Sequence, residues 1–193
     1  GSYSITAVAT ASGILATSTP VSFSVTASAP PTVSLTNPAN AAVFAAPANL
    51  KLGASTAPGA GPVTNVQFFA NTTTLLGSAT VAPFTAVSSS ITAGSYSLTA
   101  VATAAGISAT SAPVNVSVVT PVSTHISSPN VSAGLFSFSY NANPGLSYVV
   151  EGSSNLINWL PLVTNVPSVS PVPFSNPDAN HAQFYRIDLL PNP

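Results

Sequence analysis

Apolar and small polar residues alternate along most of this chain. In YSLTAVAT, Tyr96, Leu98, Ala100 and Ala102 fall on one side while Ser97, Thr99, Val101 and Thr103 fall on the other. In VNVSV, Val114, Val116 and Val118 alternate with Asn115 and Ser117. A period of two predicts strands buried on one face. Gly106 lies in the turn between the two runs, so together they predict a hairpin-like strand pair. The same phrase opens the chain. GSYSITAVATASGILATSTPVSFSVT (1–26) repeats residues 94–119 without a gap, at an offset of 94 − 1 = 93, with 19 of 26 positions identical. Where the copies differ on the inward side they stay apolar, with Ile5 for Leu98 and Phe23 for Val116. The inward face of the first copy is therefore Tyr3, Ile5 and Ala7, followed by Val21, Phe23 and Val25, around a turn at Gly13.

Further strands are predicted upstream of the second copy. TVSLT (32–36) precedes the turn-forming NPAN, and NLKLG follows with Leu50 and Leu52 inward. VTNVQFFAN (63–71), TTLLGSA (73–79) and FTAVSSSIT (84–92) complete the set. With the closing pair these make about seven strands, the number expected of an immunoglobulin-like sandwich. Helix signals are nearly missing, and 19 prolines and 11 glycines punctuate the runs. The fold class is all-β. The period of 93 implies a unit near 100 residues, which divides the chain into a partial Ig-like unit at 1–27 (its last two strands), a complete Ig-like β-sandwich at 28–120 and a small β-sandwich-like module at 121–193.

The stretch from PPTVSLTNPAN through VTNVQFFANTTTLLGS to AGSYSLTAVAT resembles the bacterial Ig-like repeats of secreted surface proteins and polysaccharide-degrading enzymes. The resemblance covers about 29–119, and 1–26 resemble its last part. The family often carries an acidic loop before its V-E-F-F strand, which would suit calcium. Here that loop reads STAPGAGPVT and the Glu is replaced by Gln67, so no calcium is expected. Residues after Thr120 resemble a C-terminal β-module of large exported bacterial proteins, through Phe136, Phe138, Pro144, Gly145, Tyr148, Glu151, Ser153, Leu156, Trp159, Phe184, Tyr185 and Arg186. That resemblance implies a module that ends its proteins, and both resemblances imply an extracellular or cell-surface setting, with any export signal upstream of Gly1.

Charge sharpens the picture. Lys51, Arg186, Glu151, Asp178 and Asp188 are the only charged side chains, 3% of the chain, against roughly 25% in an average soluble domain. A net charge of −1 offers no footprint for nucleic acid, and no apolar run is long enough for a membrane span. So uncharged a surface has little repulsion against self-association. With no cysteine there are no disulfides and no thiolate zinc sites.

Candidate chemistry is sparse. A glycosidase needs two carboxylates flanking its substrate, and Asp178 sits in an Asn-Pro-Asp turn while Asp188 sits in the last strand. His125 and His181 are far apart in sequence with no third ligand nearby. No Gly-x-Ser-x-Gly elbow is present. Neither catalysis nor a cofactor or metal is expected. Asn71, Asn115 and Asn130 head Asn-x-Ser/Thr triplets, which count only where a glycosylation machinery exists. Glu151 and Arg186, on the second and last strands of the small module, are predicted to form a structural ion pair. The competing reading is a carbohydrate site using both with Trp159, although Trp159 in NLINWLPL alternates with apolar neighbours as a core residue would.

Two functions remain open. The first is a non-catalytic extracellular protein, a subunit of a bacterial surface filament, sheath or adhesin stalk. An isolated two-stranded hairpin is marginal in water, so residues 1–26 need strands from elsewhere. Either a longer repeat array supplies them or a neighbouring copy does, as in donor-strand complementation. The partners would then be copies of the chain itself. The second is a carbohydrate-binding or spacer module of a secreted polysaccharide-degrading enzyme, with surface polysaccharide as partner.

Overall fold

The computed structural model describes residues 1–177 and 183–192. Asp178 and His181 lie outside the described residues. The described residues form strands and turns, with no helix. The protein is all-β.

The first copy of the repeated phrase forms four short strands, β1 (Ser2–Ile5), β2 (Val8–Ala11), β3 (Ile14–Thr17) and β4 (Val21–Ser24). They pair as two antiparallel ribbons, β1 with β4 and β2 with β3. The central unit contains β5 (Thr32–Asn37), β6 (Val43–Ala45), β7 (Ala48–Ala57), β8 (Val63–Ala70), β9 (Thr74–Ala79), β10 (Phe84–Ile91), β11 (Gly94–Ala104), β12 (Ile107–Thr110) and β13 (Val114–Val119). One sheet runs β10-β7-β5. The other runs β6-β13-β11-β8-β9, with β12 also on β11.

The alternation in sequence becomes the core between these sheets. Leu50 and Leu52 of β7 meet Val66 and Phe68 of β8, Leu98, Ala100 and Ala102 of β11, and Val116 and Val118 of β13. Each fully buried Leu or Phe here contributes roughly 1.5–3 kcal/mol relative to exposure. The flanks of the sandwich are covered too, with β9 beside β10 and β12 beside β5.

The repeated phrase is more than a two-stranded hairpin. β11 is one long strand whose first half pairs with β13 and whose second half pairs with β12. The turn from β11 to β12 is Ala105-Gly106, both at positive φ (49° and 78°). That is the geometry of a two-residue turn matching strand twist, and it explains the Gly. Ser12-Gly13 does the same in the first copy.

The C-terminal module places β14 (Ile126–Ser132), β15 (Leu135–Tyr140) and β18 (Val172–Asn176) in one three-stranded sheet. The other holds β16 (Tyr148–Ser153), β17 (Leu160–Asn165) and β19 (Phe184–Leu189) in the order β17-β16-β19. Phe138, Tyr140, Leu146, Tyr148, Val150 and Val172 are buried between them. Tyr140 donates its hydroxyl to Asn165 Oδ1 at 2.8 Å, which satisfies a polar atom that burial would otherwise penalise.

Candidate assembly face and charged cluster

Register brings four of the six residues of the first copy onto the β1–β4 ribbon, with Val25 just past its end and Ala7 between β1 and β2. Tyr3 lies opposite Phe23 and Ile5 opposite Val21. The Tyr3 and Phe23 rings stack at 5.5 Å between centroids. Val25 is tied across to Gly1, whose carbonyl accepts its N–H at 2.8 Å. The Ala7 N–H donates to Ser18 Oγ at 2.9 Å, and Ser18 in turn donates to the Thr19 carbonyl. Among the described residues, nothing packs over this face. Tyr3, Ile5, Val21, Phe23 and Val25 are all exposed.

The second copy shows the same positions covered. Residues equivalent to Ile5, Phe23 and Val25 are Leu98, Val116 and Val118, each buried in the central core. In that copy β8 takes one side of β11, from Leu98 opposite Ala70 to Ala104 opposite Val63. β12 and β13 take the other side. In the first copy the described residues fill only the second side, with β1 on β4 and β2 on β3.

Ser18 has a counterpart in Ser111, which sequence reasoning missed. Ser111 Oγ accepts the Ala100 N–H at 3.0 Å and donates to the Ala112 carbonyl at 2.9 Å. The signal was present, since the T-S-x-P of both copies keeps this serine.

On the C-terminal module, Glu151 of β16 and Arg186 of β19 stand directly opposite in register. Arg186 Nε lies 2.6 Å from Glu151 Oε2 and 3.3 Å from Asp188 Oδ2. Its guanidinium also sits 4.5 Å from the centre of the Trp159 ring. The arginine side chain is 44% exposed and that of Glu151 16%, so water screens part of the attraction. β16 is the third strand of the module, not its second.

The expectation that Trp159 belongs to the core is corrected. It is half-buried, at the end of a loop preceding β17. Asn155 shapes that loop, its Oδ1 accepting the Ile157 and Asn158 N–H groups at 2.9 Å each. The loop breaks the strand alternation that the sequence suggested, and a planar cation takes one indole face in place of apolar neighbours. Asp188 joins the cluster although the sequence did not point to it.

This cluster can fasten the Trp159 loop to the sheet. Its negative charges face a cation rather than an open cleft. His125 is exposed, and no group of three potential metal ligands occurs among the described residues. An open hollow of about 550 Å³ near Pro58–Val63 and Phe84 offers a single hydroxyl, Thr56, and no charge.

Comparison with known proteins settles the central unit. Residues 31–100 match the family model of the bacterial Ig domain. This segment is a bacterial Ig-like domain. The match ends before the C-terminal module. A solved structure of the Clostridium thermocellum CbhA fibronectin(III)-like modules is 32% identical, over 45% of this chain and 94% of that one, with a TM-score of 0.42. No curated protein matches the chain.

Proposed function

We propose that this chain is a non-catalytic structural protein of the bacterial exterior, assembled head-to-tail into a surface filament, sheath or adhesin stalk. The N-terminal strands of one copy are completed by strands of a neighbour. One observation carries the reading: an apolar face that is buried in the Ig-like domain is exposed in its near-identical copy at 1–26.

The strand edges add support. Proteins protect free edges with proline or charge, and β14, β17 and β18 each contain a proline while β19 carries Arg186 and Asp188. None of β1–β4 contains either. Nothing on those edges blocks pairing with a further strand. Repetition of a head-to-tail contact that does not close gives an open filament, and a nearly uncharged surface does not oppose it.

Light scattering and negative-stain microscopy of the whole chain test this reading. The expected result is elongated assemblies that the double variant Ile5→Asp/Phe23→Asp reduces to folded monomers. A wild-type chain that stays monomeric at about 100 µM would overturn assembly between copies.

A second reading, a carbohydrate-binding module, draws on the meeting of Trp159, Arg186, Glu151 and Asp188 on one sheet face. Retention on insoluble polysaccharide, lost in Trp159→Ala, would favour it. Passage through the same matrix unretained would end it.

A further inference from the structure

The Ig-like domain has an apolar end. Val43 and Ala45 of the short edge strand β6, with Val119 at the end of β13, pack against the core of the C-terminal module rather than their own. β6 pairs with β13 along one edge, Ser117 opposite Val43 and Val119 opposite Ala45. Its other edge is met by a side chain. Asn192 Oδ1 accepts the Ala45 N–H at 2.7 Å, and Asn192 Nδ2 donates to the Ala45 carbonyl at 2.9 Å. A single carboxamide thus reproduces the two bonds that one residue of an antiparallel neighbour would make. It satisfies an edge that would otherwise lie open.

The connection between the two units is fastened in the same way. Asn143 accepts from the Val122 N–H at 2.7 Å and donates to the Thr120 carbonyl at 3.2 Å. Asn141 accepts from the His125 N–H at 2.8 Å and donates to the Ser123 carbonyl at 2.6 Å. Three asparagine amides therefore hold the linker and β6 by paired bonds. Gly145 allows the close approach. It has φ +86°, and a Cβ there would lie 2.6 Å from Val43 Cγ2.

The internal repeat supplies an independent sign. At the offset of 93, Val119 corresponds to Thr26 (119 − 93 = 26). The copy followed by the Ig-like domain has a hydroxyl at this position. The copy followed by the C-terminal module has an apolar side chain, and that side chain packs against the module's core.

We propose that the C-terminal module is a docking cap for the β6–β13 end of an Ig-like domain. The apolar trio Val43, Ala45 and Val119 and the Asn192 amide form its recognition surface, and valine in place of threonine at position 119 marks the repeat that receives it. The cap makes the two units one cooperative body, where tandem domains ordinarily move independently. This does not depend on how residues 1–26 are completed.

Trp159 is the chain's one tryptophan and lies in the module, so its fluorescence reports module unfolding while circular dichroism reports the whole chain. In the full-length protein the two melts should coincide. Val119→Thr, which changes only the Ig-like side, should lower the Trp159 midpoint by about 2–4 °C, the shift expected when the two units melt as one body. Asn192→Asp keeps the size of the side chain but removes its donor, and should lower the same midpoint from the other side. If either variant proves too unstable to purify, the remaining one decides. Trp159 midpoints unchanged in the variants, or wild-type melts that are already separate, would overturn the docking proposal.

Discussion

Leu98 and Ile5 occupy the same position in the same repeated phrase, yet Leu98 is 1% exposed and Ile5 is 59% exposed. Local structure is alike in the two copies. Both make a two-residue turn with glycine at φ 78°, and both tie a serine across to the same alanine. What differs is the layer above and the strand alongside. A strand sequence specifies which residues face inward, but an inside exists only when a second sheet and a neighbouring β8 are present. Apolar alternation therefore announces a requirement for a partner and does not itself meet it.

The largest test of this contrast is a matched truncation. Leu98→Ala removes a buried side chain and should cost about 2–5 kcal/mol in denaturant unfolding of the Ig-like domain. Ile5→Ala in the same chain should stay within about 0.5 kcal/mol and show itself in assembly concentration. Equal costs at the two positions would mean that 1–26 is already packed within one chain.

The serine pair offers a smaller version. Ser111→Ala strips a buried N–H of its acceptor and should cost about 1–3 kcal/mol. Ser18→Ala leaves the exposed Ala7 N–H to water and should barely register. Hydrogen exchange at Ala100 and Ala7 checks this residue by residue.

Much of this architecture is legible in the sequence. Period two located β5, β7–β11 and β13, because each has enough residues for alternation to show and one face against a core. β6 escaped, since three residues carry no period and its partner β13 lies some seventy positions away. β12 does not show in the pattern because Ile107–Thr110 pairs only with the second half of β11, whose first half pairs with β13. Of the charged cluster, register brought Glu151 and Arg186 together, while Trp159 was misread because a loop built by Asn155 interrupts the strand just before it.

The cluster sharpens the comparison from the other end of the chain, where a half-buried aromatic does have a charged partner. Glu151→Gln weakens a partly exposed pair and should cost on the order of 1 kcal/mol. It should also loosen Arg186 over the indole, read as a shift in Trp159 emission. An emission spectrum unchanged by the substitution would detach Trp159 from the pair.

The smallest expected effect concerns pH. Burial, opposed by the Asn165 bond and aided by the nearby Tyr148, raises the Tyr140 hydroxyl above its ordinary value of 10.0. The folded state thus holds this proton more tightly than the unfolded chain. Its stabilisation is complete below the unfolded value and is lost as pH rises through the folded one. Tyr140→Phe should flatten that alkaline decline, measured as melting midpoint against pH above about 10.

β11 also bears on the order in which the Ig-like domain can form. Chains are made from the N-terminus at about 5–20 residues per second, so β5 to β10 emerge before the strand that joins them. β8 pairs early with β9 but must wait for residues 98–104 to find its other antiparallel neighbour, and β6 must wait for residues 117–119. A growing chain that has reached residue 93 contains the strands of one sheet and part of the other, without the β11 and β13 residues that share a core with Val66 and Phe68. The last 26 residues of the unit then close it in a second or a few. Until they arrive, the nascent domain presents the same kind of open apolar strand surface that residues 1–26 present here, and it is during this interval that a holdase or a neighbouring chain has its chance to bind.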